Sequence, residues 1–137
     1  MGTGVYFDYV DDCTIKENVI HNMVMCIAGG QSTNVAINNN TLFGGNNTST
    51  HIGINVLSSS STIVIKDNVA LNGQRWFMIR NGAPNSIIEN NHSRIGKGIE
   101  ILPSATGSYY KNNTNASGTP IITGTASGQY LDGNMSI

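Results

Sequence analysis

Asparagine recurs at a nearly constant spacing along almost the whole of this 137-residue chain. Each recurring asparagine follows an apolar or aromatic residue and two mostly polar residues, as in Ile65-Lys66-Asp67-Asn68. Successive tetrads are 22, 28, 23, 22 and 21 residues apart and end at Asn18, Asn40, Asn68, Asn91, Asn113 and Asn134. A period of roughly 20–50 residues indicates stacked supersecondary units, and it therefore constrains the fold more than any other feature of this sequence.

Each repeat also contains short strand patterns. Apolar residues alternate 14 to 12 residues before the asparagine, as in Ile54-x-Val56 and Ile99-x-Ile101, and a shorter apolar run such as Val19-Ile20 follows it. Three short strands in about 22 residues predict an all-β fold, a parallel β-helix (a solenoid) of about six coils. We take the right-handed form, because the hexapeptide apolar repeat of left-handed β-helices is absent. The alternative is a flat two-sheet sandwich, which would not explain the constant asparagine spacing. The longer step contains residues 44–50, which we interpret as a loop insertion.

The asparagines themselves are expected to form a structural ladder. Stacked coils would place them one above another, where each amide can donate to one neighbour and accept from the other. We also expect the asparagine to adopt the left-handed backbone conformation at the bend, because asparagine tolerates this conformation better than most residues. This role is structural and not catalytic.

The repeat predicts a single β-helix domain over residues 1–137, either complete or a fragment of a longer solenoid. Residues 117–137 are expected to form a looser terminal coil, because Gly and Thr are frequent at its start. The first strand pattern begins close to Met1. Uncapped solenoid ends expose strand edges and apolar side chains, so we expect these ends to be covered in an oligomer or by further coils.

Composition excludes several classes of function. Only 11% of the residues are charged and the net charge is −1, which argues against nucleic-acid or membrane-surface partners. The N-terminus lacks a signal-peptide pattern, so the protein is either cytoplasmic or has lost a leading segment. The localisation therefore stays open, and a secreted or phage-particle context is compatible with the sequence. Cys13 and Cys26 are expected to be buried core residues. The three histidines lack metal-ligand spacing, so we predict no metal and no cofactor.

Stacking the repeats predicts which side chains face outward. One outward row is unexpectedly apolar, namely Thr14, Ala36, Val64, Ile87, Tyr109 and Tyr130. An exposed apolar row indicates a partner surface, here a sister subunit, a terminal tail or sugar rings stacked on the two tyrosines. A second outward surface, on the early strand of each repeat, comprises Tyr6, Asp8, Asn55, Met78, Arg80 and Glu100. Beside it, Trp76 either binds a carbohydrate ring or caps a corner.

The repeated Ile-x-x-Asn tetrad resembles the pectin-lyase-like superfamily of right-handed β-helices, which includes pectate lyases, polygalacturonases, alginate epimerases and phage tailspike depolymerases. The resemblance covers nearly the whole chain and implies the fold and a polysaccharide partner. It does not carry over an active site, because Asp11-Asp12 matches one acidic motif without its companions.

Three hypotheses follow from the sequence. The leading one is a catalytically incomplete β-helix module, lyase-like or tailspike-like, that binds or presents to polysaccharide and forms a homo-oligomer, with a trimer favoured. Its substrate-binding candidates are Trp76, Asn55, Tyr109 and Tyr130. The second is a polysaccharide lyase, hydrolase or epimerase with Asp8, Arg80 and Glu100 as catalytic residues. The third is a structural spacer or adhesin stalk.

Overall fold

A computed structural model describes residues 2–44, 52–72, 77–94, 96–116 and 121–137. These residues form three sheets of parallel strands. The first sheet contains β1 (Thr3–Asp8), β4 (Met25–Gly30), β7 (Ile52–Val56), β10 (Phe77–Asn81), β13 (Lys97–Ile101) and β16 (Ile122–Thr123). The second contains β2 (Thr14–Lys16), β5 (Ala36–Asn38), β8 (Val64–Lys66), β11 (Ile87–Glu89), β14 (Tyr109–Lys111) and β17 (Tyr130–Asp132). The third contains β3 (Val19–Met23), β6 (Thr41–Gly44), β9 (Val69–Asn72), β12 (His92–Ser93), β15 (Thr114–Asn115) and β18 (Met135–Ser136).

The chain visits the three sheets in turn, so the fold is a right-handed parallel β-helix, as predicted. We call three consecutive strands a level, and residues at equivalent positions in successive levels a column. Each sheet has six strands, and about five turns connect them. The prediction of about six coils is therefore slightly high, because six asparagines mark only five steps. The part of the chain that the structure describes has no helix that is long and apolar enough to cross a membrane.

The core lies between the three sheets. The inward column of the second sheet contains Ile15, Ile37, Ile65, Ile88, Tyr110 and Leu131 in register. Ile37, Ile65 and Ile88 are fully buried, and burial of such a side chain contributes about 1.5–3 kcal/mol. Leu131 remains 47% exposed because it lies in the last described level.

The asparagine ladder is present as predicted. The Asn68 amide nitrogen Nδ2 donates to the carbonyl oxygens of Ile37 (2.8 Å) and Lys66 (2.9 Å) and to Asn91 Oδ1 (3.0 Å). The Asn68 backbone N–H also donates to Asn91 Oδ1 at 3.1 Å. Asn40 and Asn91 make the same three kinds of hydrogen bond, to both adjacent levels and to their own corner. The ladder therefore fixes both the register of the levels and the bend of the chain.

The left-handed conformation occurs one residue earlier than predicted. Positive φ angles, from 51° to 59°, occur immediately before the ladder positions, at Glu17, Asn39, Asp67, Asn90, Asn112 and Gly133. The ladder asparagines are absent from the positive-φ residues of the described chain. The bend is therefore made by the preceding residue, and this leaves the asparagine free to turn its side chain inward and its N–H toward the next level.

The first sheet differs from the prediction on its outward face. Asn55 is only 9% exposed and Met78 is 1% exposed, so the prediction that both belong to an exposed surface is wrong. Every residue of β7 is buried, as are the residues of β4 from Cys26 onward. Alternation along a strand fixes only the direction of a side chain, and exposure also depends on what covers that face.

Some predictions concern residues outside the described ranges. Most of the loop insertion at 44–50 and the first four residues of the looser coil at 117–137 lie there. The remaining part of that coil contains β16, β17 and β18. Its greater looseness stays a prediction.

Candidate functional site

The outward face of the first sheet brings most of the predicted polar residues into one column. Strand register aligns Tyr6, Ala28, Asn55, Arg80, Glu100 and Thr123 along the solenoid axis. We call these six residues the axial row. Because each strand of a parallel sheet lies about 4.8 Å from the next, the axial row is a straight line of side chains that crosses the strands.

Arg80 and Glu100 form an ion pair within the axial row. Their strands are adjacent, and the Arg80 Nε atom lies 2.7 Å from Glu100 Oε2. The Arg80 and Glu100 side chains remain 40% and 29% exposed, so solvent can reach both. The pair therefore presents additional guanidinium donors and carboxylate acceptors on an accessible face.

Asn55 lies next to this pair on β7. Its Nδ2 atom makes a long contact of 3.6 Å with the Met25 sulfur. Its Oδ1 atom is buried and has no hydrogen-bond partner among the described residues. A buried acceptor without a donor costs free energy, and such a group in a native structure marks a place where a hydroxyl or a water can bind.

The predicted catalytic residues are only partly brought together. Arg80 and Glu100 are adjacent, but Asp8 lies on β1, four strand positions from β13, which is about 19 Å. Glycosidase carboxyl pairs are about 5–9.5 Å apart, so Asp8 and Glu100 do not form such a pair. Asp8 instead accepts a weak hydrogen bond of 3.5 Å from the Tyr6 hydroxyl. The catalytic assignment of all three residues stays a prediction.

The two tyrosines predicted to bind sugar lie on the second sheet, away from the axial row. Tyr109 and Tyr130 stack on each other, with ring centroids 4.9 Å apart and an angle of 2° between the rings. The two rings therefore cover one face of each other, and Tyr130 remains 55% exposed. The assignment of both tyrosines to sugar binding stays a prediction.

The rest of the apolar column on the second sheet is partly exposed, as predicted. Ile87 is 39% exposed and Tyr130 is 55% exposed. The neighbouring outward column of this sheet consists of Lys16, Asn38, Lys66, Glu89, Lys111 and Asp132. In it Lys66 and Glu89 form an ion pair of 2.7 Å. Trp76 lies outside the described residues.

Sequence reasoning missed two members of the axial row, Ala28 and Thr123. Thr123 pairs with Glu100 and extends the polar part of the axial row by one strand. The sequence pattern that would have identified Thr123 is weak, because β16, the early strand of the last repeat, contains only Ile122 and Thr123. The spacing from Asn134 places Ile122 at the inward position of the early strand. Because side chains alternate along a strand, Thr123 could have been assigned to the outward face.

Comparison of the sequence with protein-family models found a match over nearly the whole chain. The model described as "Periplasmic copper-binding protein (NosD)" matches residues 1–135. This chain belongs to the NosD family. The NosD family is a β-helix family of the pectin-lyase-like superfamily, in agreement with the resemblance found in the sequence. Its description as periplasmic is consistent with the expected secreted context. Comparison with curated proteins found no match.

Proposed function

We propose that this chain is a polysaccharide-binding β-helix module and that the axial row is its binding surface. The observation that carries this proposal is the unpartnered Oδ1 atom of Asn55 beside the Arg80–Glu100 ion pair. Hydroxyl groups both donate and accept, so they can satisfy the Asn55 acceptor and bond to the guanidinium and the carboxylate. A linear array of such groups suits a linear polymer.

The experiment is a glycan array followed by calorimetric titration with the polysaccharides that bind. We expect Arg80→Ala and Glu100→Gln each to weaken binding by roughly tenfold, the loss of about one charge-assisted hydrogen bond. Lys66→Ala and Glu89→Gln are the comparison variants, because they remove an ion pair of the same 2.7 Å length from the second sheet, where the Oδ1 atom of the adjacent Asn38 is also buried without a partner. Absence of binding to every glycan, or equal losses in both pairs of variants, would refute the proposal.

The enzyme hypothesis is tested with the same variants. A lyase, hydrolase or epimerase that used Arg80 and Glu100 would lose turnover in Arg80→Ala and Glu100→Gln while the Lys66 and Glu89 variants kept it. The distance of Asp8 from Glu100 favours a binding module over a two-carboxylate hydrolase. Release of new reducing or unsaturated ends from a bound polysaccharide would identify an enzyme instead.

The family description raises the question of copper, and the described residues do not fit a copper site. Among them, no three His, Cys, Asp or Glu side chains are grouped so that they could hold a metal ion. Cys26 is fully buried and burial raises its pKa to about 11, so its thiol stays protonated at neutral pH. His21 stacks on Phe43, and His92 hydrogen-bonds Thr114. We therefore derive no copper chemistry for this chain.

A further inference from the structure

The outward face of the second sheet consists of two columns that run side by side along the solenoid axis. Strand register gives an apolar column of Thr14, Ala36, Val64, Ile87, Tyr109 and Tyr130. Two residues further along each strand lies a charged column of Lys16, Asn38, Lys66, Glu89, Lys111 and Asp132. Ile87 and Tyr130 are 39% and 55% exposed. A continuous row of partly exposed apolar side chains is typical of a protein interface.

The apolar column is graded in size along the axis. Its first two levels carry the small side chains Thr14 and Ala36, and its last two carry Tyr109 and Tyr130. A second column of the same kind that ran in the opposite direction would place Ala36 opposite Tyr109 and Val64 opposite Ile87. A column that ran in the same direction would place tyrosine on tyrosine and leave a gap between the alanines. Only the reversed direction fills the space evenly, as close packing requires.

The charged column is complementary to itself under the same reversal. The facing pairs are then Lys66 with Glu89, Lys16 with Asp132, and Asn38 with Lys111. In the corner column that follows these strands, the facing pairs are Glu17 with Gly133, Asn39 with Asn112, and Asp67 with Asn90. None of these pairs brings two like charges together, whereas columns that ran in the same direction would set every charged residue opposite its own copy.

We propose that two copies of this chain associate through their second sheets, about a two-fold axis that is parallel to the strands and passes between β8 and β11. This axis reverses one solenoid relative to the other and sets each column on the same column of the partner. The interface is isologous, so it closes as a dimer. It lies on the side of the solenoid, so coils before or after the described levels would leave these pairs unchanged.

A three-fold axis parallel to the solenoid does not use this complementarity. It would keep each level opposite the same level of its neighbours, so neither column would meet its complement. The sequence favoured a trimer because an apolar row predicts association without giving its symmetry. The order of sizes and charges along the two columns supplies the symmetry, and it fits a two-fold axis.

The face is small, so the association is weak. Six strands of three residues, about 4.8 Å apart, form a face of roughly 24 by 10 Å, which is below the size of standard interfaces. Lys66 and Glu89 already pair within each chain at 2.7 Å, so their pairing across the interface contributes little more. We therefore expect a dissociation constant on the order of 0.1 mM.

Sedimentation equilibrium of the 137-residue chain between about 1 µM and 1 mM measures this association, and circular dichroism checks the fold of each variant. We expect a monomer–dimer equilibrium. Ile87→Lys places a charge in the middle of the apolar column and should weaken the dimer at least about tenfold. Val19→Lys is the matched control, because Val19 is an aliphatic residue of the third sheet that is 63% exposed. It should leave the dimer unchanged.

An exchange of sizes tests the reversed pairing itself. Ala36 and Tyr109 lie three levels apart, about 14 Å, so they face each other only in the dimer. Ala36→Tyr sets two large side chains opposite each other, and Tyr109→Ala leaves a gap, so each should weaken association by roughly tenfold. The double variant Ala36→Tyr/Tyr109→Ala exchanges the two sizes and should restore association. Contacts within one chain cannot produce this rescue.

Three results would overturn the proposal. They are a chain that stays monomeric at about 1 mM, a closed trimer, and a double variant that associates no better than the two single variants. The proposal is independent of polysaccharide binding, which is assigned to the first sheet. Binding is measured at protein concentrations well below the dissociation constant of the dimer, so failure of one proposal is distinguishable from failure of the other.

Discussion

Left-handed residues define the corners of this solenoid. A second column with positive φ, separate from the one that precedes the ladder, contains Asp12, Asn34, Thr62, Asn85, Gly107 and Gly128. Asparagine, aspartate and glycine tolerate this conformation, but a β-branched side chain does so poorly. Thr62, with φ 55°, is therefore the strained member of its column.

We predict that Thr62→Asn stabilises the protein by about 1 kcal/mol, because asparagine removes the β-branch at a left-handed position. Thr62 is exposed, so the change does not disturb the core. Thermal and urea unfolding measure the effect. Ser61→Asn is the control, since Ser61 does not have a positive φ. Equal stabilities of the two variants would show that the backbone at position 62 is not strained.

The buried thiol of Cys26 makes the free energy of unfolding depend on pH in the alkaline range. Burial raises the pKa of its thiol from 9.0 to about 11. Above pH 9 the thiol of the unfolded chain ionises while the folded thiol stays protonated, so the folded state binds more protons and its stability falls as pH rises. This contribution is fully present below pH 9 and is lost as pH rises through 11, a change of about 3 kcal/mol.

We predict that Cys26→Ala flattens the fall in the free energy of unfolding between about pH 9 and pH 11. The slope is the relevant quantity, because removal of a buried side chain also lowers stability at every pH. Urea unfolding at several pH values measures it. Cys13→Ala is the control, since Cys13 is only partly buried and should keep the wild-type slope. An unchanged slope in Cys26→Ala would show that the loss of stability at alkaline pH does not come from the Cys26 thiol.

At the scale of elements, the corner between the second and third sheets is held in place more by side-chain hydrogen bonds than by backbone hydrogen bonds. Strands of the second sheet have only three residues each, so they form few backbone hydrogen bonds with the strands of adjacent levels. The asparagine that follows each strand bonds to the carbonyls of its own level and of the preceding level, and to the amide of the next. Each level is thus tied to both neighbours by one buried side chain.

We predict that Asn68→Ala destabilises the protein by about 3–5 kcal/mol, because it leaves the Asn40 amide and the carbonyls of Ile37 and Lys66 buried with lost partners. Asn18→Ala is the matched control at the ladder end, where the Asn40 Oδ1 atom keeps the Asn18 backbone N–H as a donor. It should cost about 1 kcal/mol. Urea unfolding compares the two, and similar losses would show that the ladder does not act through buried polar groups.

At the scale of the whole molecule, the solenoid separates its surfaces by direction. The sides carry columns that run along the axis. In two of them a buried unpartnered acceptor adjoins an ion pair: Asn55 lies beside Arg80–Glu100 in the axial row, and Asn38 lies beside Lys66–Glu89 on the second sheet. The first and last described levels carry the edge strands of the three sheets.

The candidate site was predictable only in part. The repeat spacing assigned Arg80 and Glu100 to adjacent strands, and their ion pair follows from that register. The spacing could not show that Asn55 is nearly buried, because burial depends on what covers the face. Nor could it show that Tyr109 and Tyr130 stack ring on ring, since this depends on the rotamers that neighbouring levels allow.

By itself, the sequence determined the β-helix, the number of levels within about one, and the register that sets the columns. It did so because every repeat must present the same residue type at the same corner for a stacked amide to find its partners. The tertiary structure alone decided that the left-handed residue precedes the asparagine, that the middle of the first sheet is covered on both faces, and that Asp8 lies far from Glu100. Those properties depend on the path of the backbone and on contacts between distant levels, which a periodic sequence pattern does not encode.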